Sequence, residues 1–374
     1  MSNSNAENDV LKIDPYMAIP EADVEGITFH SPFEKPFRLA GSAFQDQWGK
    51  LFCRMPEKPE VSGAVTYLAR NTSGFQLQFK STSRKVLVKA KLRHGNLMDH
   101  MPQTGSSSFD LYVGGPGNWR MVTSSRFPLH AEEYTYALFE REAPALREYL
   151  INFPLYNSVE SVWIGLETGC EIYAPTPWSC DKPVVVYGTS ITQGGCASRP
   201  GGSWTNILSR WHNCEFYNFG FSGSGRGEAA AAEILASIPD PRCYILDYEP
   251  NAHNTGTRAT LETFLDILRS KHPDVPITVI SKTPHRLMVS FGADDDTDVI
   301  YEDSFLSRTF QREVVARRRA NGDTNLYFVN GIKLLGDDWD ECMMDGCHFN
   351  DLGFYRMAKN LNKYLKFCLE VLEL

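Results

Sequence analysis

The chain has 374 residues and an ordinary globular composition, with 42% hydrophobic and 22% charged residues. At roughly 100 to 200 residues per domain, this length predicts two domains and excludes a mini-protein held together by staples. The 46 acidic residues outnumber the 37 Lys and Arg residues, giving a net charge of -9. Nucleic acid is therefore not expected as a main partner.

We expect neither a signal for export nor a segment for membrane insertion. Residues 1–9 are polar and acidic, and no apolar run reaches the roughly 18 residues that a bilayer span needs. The nine cysteines are irregularly spaced, which is typical of free thiols in a reducing compartment. We therefore expect a cytoplasmic protein that binds neither membrane nor nucleic acid, and its oligomeric state is not predicted.

The first half of the chain has the pattern of an all-β domain. Short runs alternate apolar and polar residues, as in Phe75, Leu77 and Phe79, and Gly, Asn, Ser and Pro separate them. Further strand-like runs occupy residues 86–90, 109–113, 134–139, 149–153 and 162–166, with no helical pattern between them. We predict a β-sandwich or jelly roll over residues 1–176, its first ~20 residues forming a loose tail.

The pattern changes after the proline-containing connector at 174–178, which predicts a domain boundary there. Five short apolar runs follow, at 184–187, 215–219, 244–246, 277–280 and 326–329. Helix-length stretches lie between or after them, at 203–211, 227–238, 257–271, 304–320 and 352–369. Alternating strands and helices predict a parallel sheet covered on both faces, so residues 177–374 are expected to form a flavodoxin-like three-layer α/β domain.

Polar residues follow several of these strands. In a parallel α/β sheet, ligands bind at the carboxyl ends of the strands, so these residues are the candidates for function. Ser190 follows the first strand, Gly223 the second and Asn251 the third, while Asp345 and His348 come just before the last helix. We expect these side chains to meet at one edge of the sheet.

Ser190, His348 and Asp345 are the residue types of a serine nucleophile with its base. Serine needs a histidine to accept its proton, and the histidine needs a carboxylate that fixes its tautomer. Asp345 and His348 are three residues apart, so both can face the same side while Ser190 approaches across the sheet. The backbone amides of Ser190 and Gly223 and the side-chain amide of Asn251 are candidate donors to the oxyanion.

These blocks resemble the SGNH hydrolases, also called GDSL esterases. Residues 188–191 (Gly-Thr-Ser-Ile) are similar to the first block, 218–223 to the second, and 345–348 (Asp-Gly-Cys-His) to the Asp-x-x-His block. The third block departs from the family's Gly-x-Asn-Asp, since residues 249–252 are Glu-Pro-Asn-Ala. The resemblance implies Ser190 as nucleophile, His348 as base, Asp345 as its orienting carboxylate, and Ser190, Gly223 and Asn251 as the oxyanion hole.

A second resemblance lies in the first half. Residues 108–112 (Ser-Phe-Asp-Leu-Tyr) are similar to the Gly-x-Asp-Leu-Tyr element of a β-domain that precedes some SGNH domains, although the glycine is missing. This layout is similar to carbohydrate acetyl esterases and to a few acyltransferases. It implies a serine esterase that needs no cofactor or metal and removes short acyl groups, with acetyl favoured, from a small-molecule or oligosaccharide ester. An acyltransferase using the same residues and a non-catalytic carbohydrate-binding protein are the alternatives.

A dinucleotide-binding turn is a further alternative. Residues 225–230 (Gly-Arg-Gly-Glu-Ala-Ala) fit Gly-x-Gly-x-x-Ala before a helix, and Asp247 ends the next strand. The fingerprint normally follows the first strand, whereas this one follows the second, and it leaves Ser190, Asn251 and His348 unexplained. Metal sites are not expected, because Cys342, Cys347 and His348 match no common zinc spacing and residues 294–298 open a calcium loop without its glycine and glutamate.

Overall fold

The computed structural model describes residues 13–95, 98–286 and 297–369. The first 12 residues of the expected tail lie outside this part of the chain, as do residues 294–296 of the acidic run. No helix of the described part combines the length and apolar character that a membrane crossing requires.

The first half contains two antiparallel sheets, which confirms the all-β prediction. One sheet has the order β1-β9-β4-β7 and the other β10-β3-β8-β5-β6, with β2 paired to β3. The strands are β1 (Ile27–His30), β2 (Arg38–Ala40), β3 (Gln76–Ser81), β4 (Lys85–Leu92), β5 (Asp110–Val113), β6 (Arg120–Ser124), β7 (Glu133–Glu140), β8 (Arg147–Asn152), β9 (Val159–Glu167) and β10 (Ile172–Tyr173). Side chains from both sheets, among them Phe79, Val88 and Ile164, share one buried core.

Three short helices interrupt this half, and the sequence pattern did not predict them. They are α1 (Gln45–Trp48), α2 (Gly63–Ala69) and α3 (Gln103–Ser106). Helix α2 is capped by Ser62, whose hydroxyl oxygen accepts from the Val65 N–H at 3.2 Å. Helices of four to seven residues are too short to display a 3.6-residue period. Val65 and Ala69 pack into a core formed mainly by the second half, so the two halves share an interface.

The second half is a five-stranded parallel sheet with the order β12-β11-β13-β14-β15. Its strands are β11 (Cys180–Gly188), β12 (Cys214–Gly220), β13 (Cys243–Asp247), β14 (Ile277–Ile280) and β15 (Leu326–Val329). The helices are α4 (Ser190–Gln193), α5 (Trp204–His212), α6 (Ala229–Ala236), α7 (Glu249–Lys271), α8 (Thr297–Ala320) and α9 (Asp351–Leu369). Helices α5 and α9 pack on one face, and α6, α7 and α8 on the other, so the predicted three-layer fold is confirmed.

The buried sheet explains why polar side chains collect at its edge. Val184, Val185, Val186 and Tyr187 of β11 are all fully buried, as expected for a strand covered on both faces. The three strands β12, β11 and β13 are neighbours, and Gly188 pairs with Gly220 on one side and Asp247 on the other. The loops that follow these strands therefore emerge side by side. The domain boundary at residues 176/177 stays a prediction; residues 174–178 lie between β10 and β11, in neither a helix nor a strand.

Candidate active site

Ser190 begins a four-residue helix directly after the central strand β11. The preceding residue, Thr189, has an extended backbone, and its side chain accepts from the Ile191 N–H at 3.3 Å. This cap fixes the sharp turn from strand to helix. Ser190 is half-buried and stands at the sheet edge that the sequence indicated.

His348 and Asp345 approach Ser190 from the loop that precedes α9. The His348 Nε2 atom lies 2.9 Å from Ser190 Oγ, and His348 Nδ1 lies 2.8 Å from Asp345 Oδ2. An ionised carboxylate only accepts hydrogen bonds, so the imidazole carries its proton on Nδ1 and Nε2 is free to accept from the Ser190 hydroxyl. The three side chains thus form one continuous hydrogen-bonded chain.

Asp345 is held in its ionised form by its hydrogen bonds. Partial burial acts to raise the pKa of Asp345, but donation from the backbone and side chain of His348 and from the Cys347 N–H outweighs it and lowers that pKa to about 2. Its Oδ1 accepts from Cys347 N–H at 2.9 Å and from His348 N–H at 2.6 Å. The carboxylate therefore fixes both the loop backbone and the imidazole.

Gly223 lies in the loop after β12, and Asn251 lies in the first turn of α7, which follows β13; β12 and β13 are the two neighbours of β11. The side-chain nitrogen of Asn251 donates to the Phe221 carbonyl oxygen at 3.2 Å, which joins this helix turn to the loop. A primary amide has two N–H groups, so this bond engages one of them and leaves the other for a ligand. Gly223 has φ of +65°, and no described protein atom lies within 4 Å of where its Cβ would be. Backbone conformation rather than crowding within the chain therefore explains a glycine here.

Side chains that the sequence did not single out hold these loops in place. Asn218 donates from its side chain to the Thr192 carbonyl at 2.7 Å and accepts from the Gly220 N–H at 2.8 Å. The Gln193 side-chain oxygen accepts from the Ser222 N–H at 3.0 Å. The helix that carries Ser190 is thus bonded to the loop that carries Gly223.

Arg54, from the first half of the chain, holds the end of β12 that leads into this loop. It is 1% exposed and donates to the carbonyl oxygens of Asn218 at 2.9 Å and Gly220 at 2.7 Å. The same guanidinium donates to Leu68 and Asn71 carbonyls at 2.7 and 2.8 Å. Burial lowers the pKa of Arg54 to about 10, so it stays charged at neutral pH. No sequence motif marks this residue, because all its partners are backbone carbonyls from distant segments.

The first half also contributes side chains beside the nucleophile. The Tyr156 hydroxyl donates to the Ser190 carbonyl oxygen at 3.3 Å. A Cβ on Gly195 would lie 2.7 Å from that hydroxyl, so a larger residue at this position would displace the Tyr156 side chain. The rings of His100 and His348 are 5.7 Å apart between centroids. The sequence placed neither Tyr156 nor His100 at the site, since both come from loops between strands of the β half.

The dinucleotide alternative does not fit the loop at 225–230. The backbone amides of Arg226 and Gly227 donate to the Tyr187 hydroxyl at 3.0 and 3.1 Å, and that hydroxyl bonds to the Glu228 carboxylate. Amides that would hold a pyrophosphate are thus bound within the protein. Asp247, the candidate ribose ligand, is buried and accepts from the Thr192 hydroxyl at 2.8 Å.

Comparison with known proteins finds a family match for each half of the chain, and both agree with the resemblances seen in the sequence. Residues 181–366 match the GDSL-like Lipase/Acylhydrolase family, and residues 27–172 match a family described as the N-terminus of Esterase_SGNH_hydro-type. A crystal structure of a GDSL-like lipase from Bacteroides ovatus is similar with a TM-score of 0.81 and 29% identity, over 92% of this chain and 98% of that one. No curated protein matches the sequence.

Two further solved structures share the fold at lower identity. A salicylyl-acyltransferase from a tetracycline biosynthetic pathway gives a TM-score of 0.69 at 17% identity, over 94% of this chain and 99% of that one. A family two carbohydrate esterase from Cellvibrio japonicus gives 0.56 at 12% identity, over 92% and 98%.

The fold and the family matches define a two-domain, ester-hydrolysing enzyme. Residues 181–366 belong to the GDSL-like, or SGNH, hydrolases, and residues 27–172 match the N-terminal domain found with esterases of that type.

Proposed function

We propose that this enzyme hydrolyses short-chain acyl esters, with acetyl groups on a carbohydrate or glycoside as its substrates, through an acyl-enzyme on Ser190. The observation that carries the proposal is the chain from Ser190 Oγ to His348 Nε2 at 2.9 Å and from His348 Nδ1 to Asp345 at 2.8 Å. Both distances are those of hydrogen bonds ready for proton transfer.

In the first half-reaction, Ser190 Oγ attacks the ester carbonyl carbon while His348 Nε2 takes the hydroxyl proton. Asp345, already ionised, stabilises the imidazolium that forms. The Ser190 and Gly223 amides and the second N–H of Asn251 donate to the oxyanion, and each donor contributes about 3 to 4 kcal/mol to lowering the barrier. The intermediate then collapses, and His348 returns the proton to the departing alcohol.

In the second half-reaction, His348 takes a proton from water, which attacks the acyl carbon. Collapse of this second intermediate releases the acid and returns the proton to Ser190 Oγ. The enzyme's own side chains therefore supply nucleophile, base and oxyanion donors.

Two observations support a small acyl group on a sugar. Tyr156 bonds to the Ser190 carbonyl oxygen and lies against the Gly195 backbone, so these groups fill the space on one side of Ser190. The fold also resembles that of family two carbohydrate esterases; one from Clostridium thermocellum, solved in complex with cellohexaose, has a TM-score of 0.55 at 15% identity. All nine cysteines are free thiols, which supports a reducing, cytoplasmic location and hence an internal oligosaccharide or metabolite ester as substrate.

The test is acid release from acetylated sugars and from aryl esters of increasing chain length. We expect the highest kcat/KM for the acetyl esters and loss of turnover in Ser190→Ala. Ser198→Ala is the matched control, because Ser198 lies near the site on the loop after α4 and bonds to Asp351 only through its backbone N–H. Equal turnover by Ser190→Ala and the parent enzyme would reject the proposed nucleophile.

An acyltransferase is the second candidate, since the fold is also shared with a salicylyl-acyltransferase. It would form the same acyl-enzyme but transfer the acyl group to an alcohol. Adding a competing acceptor and measuring acylated product against free acid separates the two reactions. A carbohydrate-binding protein without catalysis would bind sugar yet leave Ser190 unlabelled by a fluorophosphonate probe.

A further inference from the structure

Four metal-ligating side chains converge beside the nucleophile. His100, Cys196, Asp345 and His348 each offer one ligand atom, and these atoms all lie within 4.8 Å of one another. They come from three separate parts of the chain: a loop of the β half, the loop after α4, and the loop before α9. Two imidazoles, one thiol and one carboxylate form a donor set typical of zinc.

His100 is already oriented as metal-binding histidines usually are. Its Nδ1 lies 3.0 Å from Asp99 Oδ1, so this nitrogen donates to a carboxylate and the lone pair on Nε2 is free. A carboxylate on the far nitrogen fixes the tautomer and increases the basicity of a metal-bound imidazole. Asp99 thus supplies a second observation, independent of the clustering, that points to a ligand.

Cys196 is suited to a cation and not to catalysis. It is 4% exposed, and its backbone has φ of +73°, a conformation that few residues other than glycine adopt. The Cys196 sulfur lies within 4.8 Å of the other three ligand atoms, so a cation held by them would also contact this thiol and its proton. A divalent ion would displace that proton to solvent and bind the thiolate.

We propose that His100, Cys196, Asp345 and His348 form a zinc-binding site that holds the hydrolase in an inactive state. Zinc–ligand bonds of about 2.0 to 2.3 Å place tetrahedral ligand atoms roughly 3.3 to 3.8 Å apart, so the cluster contracts by about 1 Å to bind. The four atoms each donate a lone pair to the ion, the thiol proton leaves to solvent, and no electron is transferred.

Zinc binding would occupy Asp345 and His348, two side chains that the proposed reaction needs. Asp345 and His348 would contact the ion in place of their mutual hydrogen bond, and a metal-bound imidazole cannot shuttle the Ser190 proton. The inhibition therefore rests on the proposed function of His348, whereas metal binding itself does not. Because His100 belongs to the β half, the metal would also tie the two halves together at the site.

The experiment compares the EDTA-treated parent with Cys196→Ser, His100→Ala and the control Cys347→Ser. Cys347 is an exposed thiol between Asp345 and His348 and does not belong to the cluster. Zinc should inhibit aryl-ester hydrolysis by the parent and by Cys347→Ser, with reversal by EDTA. The inhibition constant should rise at least about tenfold in Cys196→Ser and in His100→Ala, and Cys196→Ser should retain activity in EDTA.

Cobalt(II) absorption gives a readout that does not depend on hydrolysis. The parent and Cys347→Ser should develop a thiolate-to-cobalt charge-transfer band that Cys196→Ser lacks, and His100→Ala should require a higher cobalt concentration to reach it. If the band appears but no ester is hydrolysed, the metal site stands and the proposed function fails. An unchanged zinc inhibition constant in both Cys196→Ser and His100→Ala, or a cobalt band that persists in Cys196→Ser, would overturn the site.

Discussion

Replacing Asp345 with Asn tests the proposed proton path directly, because the change keeps the shape of the side chain and reverses one hydrogen bond. Asp345 Oδ1 accepts from two backbone amides, and Oδ2 accepts from His348 Nδ1. The oxygen of asparagine is needed by the backbone amides, so its NH₂ group faces Nδ1. The imidazole must then accept at Nδ1 and carry its proton on Nε2, where it can no longer accept from Ser190.

This change of tautomer predicts a fall in kcat of about 10³ to 10⁴-fold with little change in KM. The effect on stability is smaller. Folding lowers the pKa of Asp345 from 3.8 to about 2, which corresponds to about 2 kcal/mol of stabilisation. The side chain is 33% exposed, and solvent screening reduces this contribution to about 1 kcal/mol. The stabilisation by ionised Asp345 is present above pH 4 and is lost as the pH falls through 2. Asp345→Asn should therefore lower the free energy of unfolding by about 1 kcal/mol at neutral pH.

The assay is aryl-acetate hydrolysis from pH 5 to 9, paired with urea unfolding at neutral pH. A folded Asp345→Asn enzyme that retains more than about a fifth of the parent's kcat would refute the argument. It would mean that His348 finds its working tautomer without Asp345, and that Ser190 and His348 act as a pair. A loss of activity matched by a loss of folded protein would instead point to the two backbone bonds.

Three further changes test the chemistry and the supporting structure. Ser190→Ala should lower kcat at least about 10³-fold in the ester assay, with a thermal midpoint close to the parent's. Asp110→Ala should lower the free energy of unfolding in urea by about 3 to 5 kcal/mol, because the fully buried Asp110 lies 3.5 Å from Arg199 and accepts from the Gly201 N–H at 2.7 Å; an unchanged urea midpoint would contradict this. Burial raises the pKa of Asp247 to about 7, so the folded parent should lose stability as the pH rises from about 4 to 7. Asp247→Asn should remove the part of that pH dependence that comes from Asp247 and stabilise the protein by up to about 4 kcal/mol at pH 8, measured by urea unfolding at pH 4 and pH 8.

The elements of the second half could be predicted from the sequence because they are long and regular. Strands β11 to β15 and helices α5 to α9 overlap the predicted stretches, since strands buried on both faces show as apolar runs and the helices between them exceed two turns. In the first half, α1, α2 and α3 were not predicted, because their place depends on packing against distant residues. Val65, for example, is buried by the second half and not by its neighbours along the chain.

The candidate site also contains residues that the sequence indicated and residues that it did not. Ser190, Gly223, Asn251 and His348 each follow a strand or precede a helix, so their order along the chain indicated a common edge. Their catalytic roles remain predictions. No sequence pattern indicated Arg54 or Tyr156, because both donate to backbone carbonyl oxygens, which every residue has.

Periodicity and the position of a residue at the end of a strand are local properties, so the amino-acid sequence was enough to predict the two-part architecture and a common edge for the four blocks. The 2.9 Å contact between Ser190 and His348, and the position of His100 beside them, are seen only in the folded protein. Those distances depend on how the sheets and loops of both halves pack together. Burial and hydrogen bonding, which set the pKa values of Asp345 and Asp247 in opposite directions, likewise exist only once the chain has folded.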